Sequence, residues 1–352
     1  MAMSGSSALA RVAVNPGCEI QVAMARSRDP EPEFFRKATG NQYDREFGER
    51  LPARRRGSKF EQELFRNNAI KLCEALCQLN GGDPNAIFVR NFDDELPGGN
   101  ERTRIARYSR TKRVFADLAA GKQVPDLLIH PQFLLPVKGS AKGYFWIEPD
   151  FAWFDAEAQM YVPGDLKSFV VQENDVDPGD LERARLQIGS QILALRTVAD
   201  AHGLADRVST RGMLIFATPY GLSPHRPRIE DLAGAIHSIE AAIAAFERHG
   251  GRIDSLRAAD GAEMHMLVPD LASHFQERCV SGCVMAGYCR ERHSGTAVEL
   301  GDAAARLLGA DTRIDSLVAD LNRAAAGHVE AGTLASELME LAIALGISAR
   351  AA

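Results

Sequence analysis

The sequence predicts an α/β fold, with a central mixed sheet flanked by helices and a helical appendage at the C-terminal end. Three observations carry this prediction. Segments rich in branched and aromatic residues succeed one another at 127–137, 144–154 and 161–171, the signature of adjacent strands. A helical pattern precedes them at 59–79. A helix, a strand and a second helix follow at 181–201, 211–218 and 229–249, which closes a layered sandwich.

Taken in order, residues 1 to 56 are Gly-, Pro- and Arg-rich with little periodicity and are expected to be irregular. From Lys59 to Leu79, Phe65, Ala69, Leu72, Leu76 and Leu79 recur at helical spacing, and Gly81-Gly82-Asp83-Pro84 ends that helix. Polar and basic residues fill 90–123. Leu127 to Val137 reads as a first core strand. Tyr144 to Phe154 and Tyr161 to Val171 read as a hairpin, with Asp155-Ala156-Glu157-Ala158-Gln159 as its turn. Beyond 293 the chain carries Ala- and Leu-rich amphipathic pieces, including Ile314–Ala326 and Thr333–Leu345. The expected organisation is therefore an N-terminal segment (1–56), a core (57–293) and a C-terminal helical region (294–352).

The 352 residues exceed one average domain and are 45% hydrophobic and 25% charged, as in soluble globular proteins. No apolar run approaches the roughly 20 residues of a membrane span. The start of the chain lacks a signal-peptide pattern, and six cysteines are too few for a disulfide scaffold. A cytoplasmic, reducing location is expected. The net charge is −6, but it is uneven. Arg36 to Lys59 holds eight basic residues against three acidic ones, with Arg54-Arg55-Arg56 read as a disordered basic run. Glu101 to Arg113 holds six against one and is the candidate stripe for a phosphate backbone.

The chemistry concentrates in the hairpin. Asp150 and Asp165 are symmetric about the turn, so a regular register sets them opposite each other at roughly 5 Å between Cβ atoms. Lys167, two residues past Asp165, projects from the same face. Paired carboxylates suit a hard divalent cation, and a neighbouring lysine suits orientation or deprotonation of an attacking water. A P-D, turn, D-x-K arrangement is what metal-assisted phosphodiester hydrolysis asks for.

With Pro149-Asp150 and Asp165-Leu166-Lys167 on a hairpin behind a helix, the chain resembles the PD-(D/E)XK nuclease superfamily. The resemblance implies a restriction-endonuclease-like core and a magnesium- or manganese-dependent deoxyribonuclease. Asp150, Asp165, the Leu166 carbonyl and a first-helix glutamate, Glu61, would hold the metal, with Lys167 as the catalytic lysine. In the RecB-like branch the helix after the third strand presents a glutamine. Gln187 in RLQIGSQILAL stands there, with Gln191 where a tyrosine is usual. Such nucleases act on DNA, preferentially single strands or ends, in repair, CRISPR adaptation or phage defence. The chain has no helicase motif, so unwinding would fall to a helicase or defence-complex partner.

Cys279, Cys283 and Cys289 in ERCVSGCVMAGYCRERH point to a separate thiophilic site. With His293 the spacing C-x3-C-x5-C-x3-H makes a local zinc site. The triplet also resembles the C-terminal cysteines of CRISPR-associated and AddB-type nucleases. That resemblance implies a 4Fe–4S cluster, with Cys18 in sequence position for the fourth ligand. Cys73 and Cys77 read as small core residues. The alternative to an enzyme is a non-catalytic nucleic-acid-binding or assembly subunit with the same fold.

Overall fold

The computed structural model describes residues 5–27, 29, 31–40, 51–168, 176–218, 221–258, 261–276, 279, 283–300, 302–326 and 328. The chain divides into two compact units, Met1–Ala272 and Ser273–Ala352. This boundary differs from the one expected at 293, and it assigns the three clustered cysteines to the second unit.

The first unit is built on a six-stranded mixed sheet in the order β1 (Val89–Asn91), β2 (Leu127–Ile129), β5 (Phe151–Asp155), β6 (Met160–Lys167), β7 (Arg211–Phe216), β8 (Arg228–Asp231). β1 and β2 pair in parallel, as do β6 and β7, while β5 is antiparallel to both of its neighbours. Strands β1, β2, β6 and β7 therefore run in one direction and end along one edge of the sheet. The long helices are α4 (Leu51–Asn80), α6 (Glu101–Ala119), α7 (Pro178–Asp200) and α8 (Ala233–Ala258). A short α5 (Phe92–Glu95) follows β1, and α9 (Gly261–Leu267) follows α8.

Alternation along the strands sends their side chains to two cores. Leu127, Ile129, Phe151, Val162, Met213 and Ile215 pack with Phe60, Leu64, Leu72, Cys73 and Leu76 of α4. On the other face, Leu214 and Phe216 pack with Ile188 and Ile192 of α7 and Ile236 of α8. Gly164 is required by close approach, because a Cβ there would lie 2.1 Å from the Phe151 ring. Asp177 caps α7, its side chain accepting from Asp180 N, and Pro178 occupies the first turn.

Several elements differ from the sequence expectation. The N-terminal segment is not irregular: it contains α1 (Gly5–Val14), α2 (Glu19–Arg26) and α3 (Glu31–Thr39), and α4 already begins at Leu51. Leu9, Val12, Ile20 and Val22 are fully buried. Helices this short are held by tertiary packing and not by propensity, so their periodicity is weak in sequence. Arg55 and Arg56 accordingly sit in a helix and not in a disordered run. Helix α4 is interrupted at Arg66–Ala69, where Asn67, Asn68 and Ala69 have positive φ.

Leu127–Val137 is not one strand. His130, at φ +49°, breaks it into β2 and β3 (Phe133–Pro136). Tyr144–Phe154 is likewise split at Glu148-Pro149-Asp150, because proline cannot donate to a ladder. Its first half, β4 (Tyr144–Ile147), pairs with β3 in a separate two-stranded sheet. Residues 90–123 hold an ordered strand and two helices, and 229–231 are strand before α8 begins. Among the described residues no helix is long and apolar enough to cross a membrane.

In the second unit, the described helices include Ala286–Arg292, Asp302–Leu308 and Ile314–Ala325. The expected amphipathic piece at Thr333–Leu345 lies outside the described residues.

Candidate active site

The hairpin register is the one the sequence symmetry implies. Phe151 pairs with Gly164 and Asp155 with Met160, so the next rung sets Asp150 against Asp165 at the sheet edge where β6 ends. Phe151 faces α4; its neighbour Asp150, and Asp165 opposite it, face α7. Asp165 is 5% exposed and Asp150 is half-buried. Asp150 Oδ2 accepts from Leu166 N at 2.6 Å. Lys167 Nζ is paired with Asp165 Oδ2 and donates to Gln187 Oε1 at 2.5 Å. Gln187 Nε2 in turn donates to Ser7 Oγ of α1 at 3.1 Å. Burial, then the charge of Asp165, raises the Asp150 carboxyl well above the usual range, while Lys167 offsets part of this.

A second cluster adjoins the first. His130 follows the last residue of β2 and its backbone N–H donates to Asp150 O at 3.1 Å. Its ring lies between two acids, Nδ1 at 2.5 Å from Asp93 Oδ2 and Nε2 at 3.2 Å from Glu61 Oε1. Phe65 meets the ring edge-on at 5.0 Å between centroids. Burial alone would lower the His130 pKa, but the bonds to Asp93 and Glu61 outweigh it and push it up to about 10. His130 is therefore an imidazolium at neutral pH, and its bond holds Asp93 below the usual carboxylate range. Buried Arg107 pairs with Asp93 and lies 3.5 Å from Glu148.

All five side chains expected at the catalytic site, Glu61, Asp150, Asp165, Lys167 and Gln187, thus come to one edge of the sheet. Helix α4 supplies Glu61 from one face and α7 supplies Gln187 from the other. Carboxyl ends of parallel strands are where open α/β sheets place their ligand sites. Asp93, His130 and Arg107 were not expected. Their sequence separations from the hairpin carry no periodic signal; the parallel pairing of β1 with β2 brings in Asp93 and His130, and α6 brings in Arg107. Gln191, on the same helix as Gln187, is buried and belongs to the interior.

The donor set fits a hard divalent cation. Asp150 and Asp165 offer carboxylate oxygens, and the charge of Glu61 acts on Asp150. Lys167 O accepts from Ala217 N on the β7 side. Alternation along the strand therefore turns the Leu166 carbonyl to the β5 side, where its N–H already meets Asp150. Among the described residues no three His, Cys, Asp or Glu side chains form a preassembled metal cage. Lys167 and His130 are the cations that neutralise these acids.

Part of the basic stripe of α6 is spent inside the protein, while Arg102, Lys112 and Arg113 are exposed. Arg107 is buried and spent on Asp93, Leu96 O and Gly98 O. Arg110 pairs with Glu95 and Arg113 with Asp117. In the first basic region Arg36 pairs with Glu33, Lys37 with Asp29, and Arg56 donates to Thr218 O at 3.0 Å. Arg45 and Arg50 lie outside the described residues.

Of the cysteines, Cys279, Cys283 and Cys289 are buried in the second unit, and Cys18, at the N-cap of α2, is buried in the first. Cys283 N bonds Cys279 O at 2.9 Å, which sets these two residues one turn apart. His293 Nε2 lies 2.9 Å from the Ser273 carbonyl and 3.0 Å from Ser273 Oγ, so this ring nitrogen is engaged within the second unit. Cys73 packs in the α4 core, where burial pushes its thiol up to about 12.

No protein-family model matches the chain, and neither does any curated protein or solved structure.

Proposed function

We propose that the chain is a magnesium- or manganese-dependent nuclease that hydrolyses phosphodiester bonds in DNA. One observation carries the reading: Asp150, Asp165 and Lys167 meet at the carboxyl edge of the parallel strands, with Gln187 gripping the lysine. Asp150, Asp165, the Leu166 carbonyl and Glu61 would hold the cation. Such a cation lowers the pKa of a bound water and offsets charge on a phosphoryl oxygen. Gln187 holds Lys167 Nζ at the site, where its ammonium can orient a water and contact a phosphate oxygen. His130 neutralises Glu61 and Asp93, which keeps four acids tolerable in one place.

Cys279, Cys283 and Cys289 supply the soft donors for the 4Fe–4S cluster proposed in the second unit, with zinc as the alternative metal. Iron, sulfide and zinc content of the wild-type and His293→Ala proteins distinguishes the two: iron with sulfide in both supports the cluster, and zinc lost in the variant supports zinc.

The enzymatic reading is tested with labelled single- and double-stranded DNA, with magnesium or manganese. Wild type should cut, and Asp165→Ala and Lys167→Ala should each lose about 10²–10³-fold while keeping the wild-type circular dichroism spectrum. Equal cleavage by wild type and Asp165→Ala, or no cleavage by wild type with either metal, overturns it. In the latter case the non-catalytic binding subunit becomes the better reading.

A further inference from the structure

The first unit holds a cavity of about 360 Å³, lined by Tyr144, Phe145 and Trp146 of β4, by Arg104 of α6, and by Gln132 and Glu148. The volume falls at the small end of the range for small-molecule sites, enough for a single flat ring system with its sugar. Glu148 is two residues before Asp150, so the Cα atoms of this lining residue and of the candidate metal ligand lie at most about 7 Å apart.

The aromatic residues are fixed in place. Tyr144 Oη and Trp146 Nε1 both donate to Glu101 Oε1, at 3.0 and 3.1 Å. Tyr108 and Tyr144 flank Trp146 edge-on, at 5.7 and 5.4 Å between centroids. Trp146 is neither fully buried nor fully exposed. Its polar atom is satisfied inside the protein, so what the indole has left to offer is its π surface. Lys142 is likewise spent, on Glu101 at 3.0 Å. The charged lining is balanced, Arg26, Arg104 and Lys142 against Asp29, Glu31 and Glu148, which favours a neutral aromatic ligand over a phosphate.

Gln132 adds a polar specification. It is 1% exposed, and its Nε2 donates to Ile147 O at 3.0 Å, which fixes the amide orientation. Its Oε1 has no partner among the described residues. Gln132 is a fixed wall of the cavity, and the exposed Glu148 carboxylate in the same lining suits a ligand that carries amino hydrogens.

We propose that this cavity is a stacking subsite for one unpaired nucleobase of the DNA strand, with bases carrying an amino group preferred. A base paired within a duplex has no free face to offer, so the subsite selects single strands or frayed ends. The substrate class rests on the nuclease reading above, but the binding does not need cleavage.

The protein has two tryptophans, Trp146 and Trp153, so Trp153→Phe leaves Trp146 as the sole indole reporter. This protein is titrated, without divalent cations, with dA12, dT12, an abasic 12-mer and a duplex. The expected result is quenching of Trp146 emission by dA12, weaker binding of dT12, and no quenching by the abasic strand or the duplex. Trp146→Ala should weaken dA12 binding about tenfold, the size of one lost aromatic stack, and Trp146→Phe should restore most of it. Equal quenching by duplex and single strand, no quenching by dA12, or unchanged affinity in Trp146→Ala overturns the proposal. The two readings fail separately. A protein that quenches with dA12 but cuts nothing keeps the subsite and loses the nuclease; one that cuts while Trp146 stays silent does the reverse.

Discussion

Lys167 Nζ donates to Gln187 Oε1 at 2.5 Å while remaining paired with Asp165, so a strand residue and a helix residue twenty positions apart share one ammonium. Gln187→Ala removes this grip and leaves the charge. Cleavage should fall about 10-fold, less than the loss for Lys167→Ala, because the ammonium is present but less well placed. Comparison of kcat for the two variants checks this, and an equal loss in both would show that Gln187 does more than position.

Asp150 is destabilising when ionised. Its folded carboxyl titrates well above the usual 3.8, so between those two values the native state binds the extra proton. Stability then falls as pH rises through that window and stays reduced above it. Asp150→Asn should therefore stabilise the metal-free protein at pH 7 while abolishing cleavage. Urea unfolding at pH 4 and pH 7 reads it: the gain should be larger at pH 7.

For His130 the shift has the same direction, but here the favoured protonated form is the charged one. Its pKa rises from 6.5 to about 10 on folding, so its contribution is complete below pH 6.5 and is lost as pH climbs through 10. His130→Gln keeps hydrogen-bonding capacity without the charge. It should flatten the loss of stability between pH 7 and 10, at a cost on the order of 2–4 kcal/mol at pH 7. A wild-type alkaline limb in this variant would show that the titrating group lies elsewhere.

A cation that binds only the folded state raises stability by about 2.7 kcal/mol at one hundred times its dissociation constant. Manganese should raise the melting temperature of wild type and leave Asp165→Asn unmoved. A shift of equal size in both would place the metal away from the hairpin.

The cysteines separate by location. Cys73→Ala should leave iron and zinc content unchanged, because its thiol is protonated within the α4 core. Cys283→Ser should lose the metal. Elemental analysis of the two purified variants decides the matter.

Where the governing interactions are local, the sequence was legible. The register that opposes Asp150 to Asp165 follows from a tight turn and a period of two, and the helix expected at 181–201 is α7, which starts three residues earlier at Pro178. The pattern failed where long-range packing overrode it. Helices α1 to α3 carry little periodicity and exist because Leu9, Val12, Ile20 and Val22 are buried. Two apparent single strands are broken, one at His130 by a left-handed backbone and one at Pro149 by a missing donor.

By itself, then, the sequence determined the α/β class, the hairpin and the triplet of Asp150, Asp165 and Lys167, because each depends on residues within a few positions of one another. Tertiary structure alone decided the rest of the site. Asp93, His130 and Glu61 meet only because β1 and β2 lie parallel with α4 across them, and Trp146 joins the lining of the cavity only because β4 leaves the main sheet. Strand order and crossover are set by the packing of the whole unit, and no spacing along the chain encodes them.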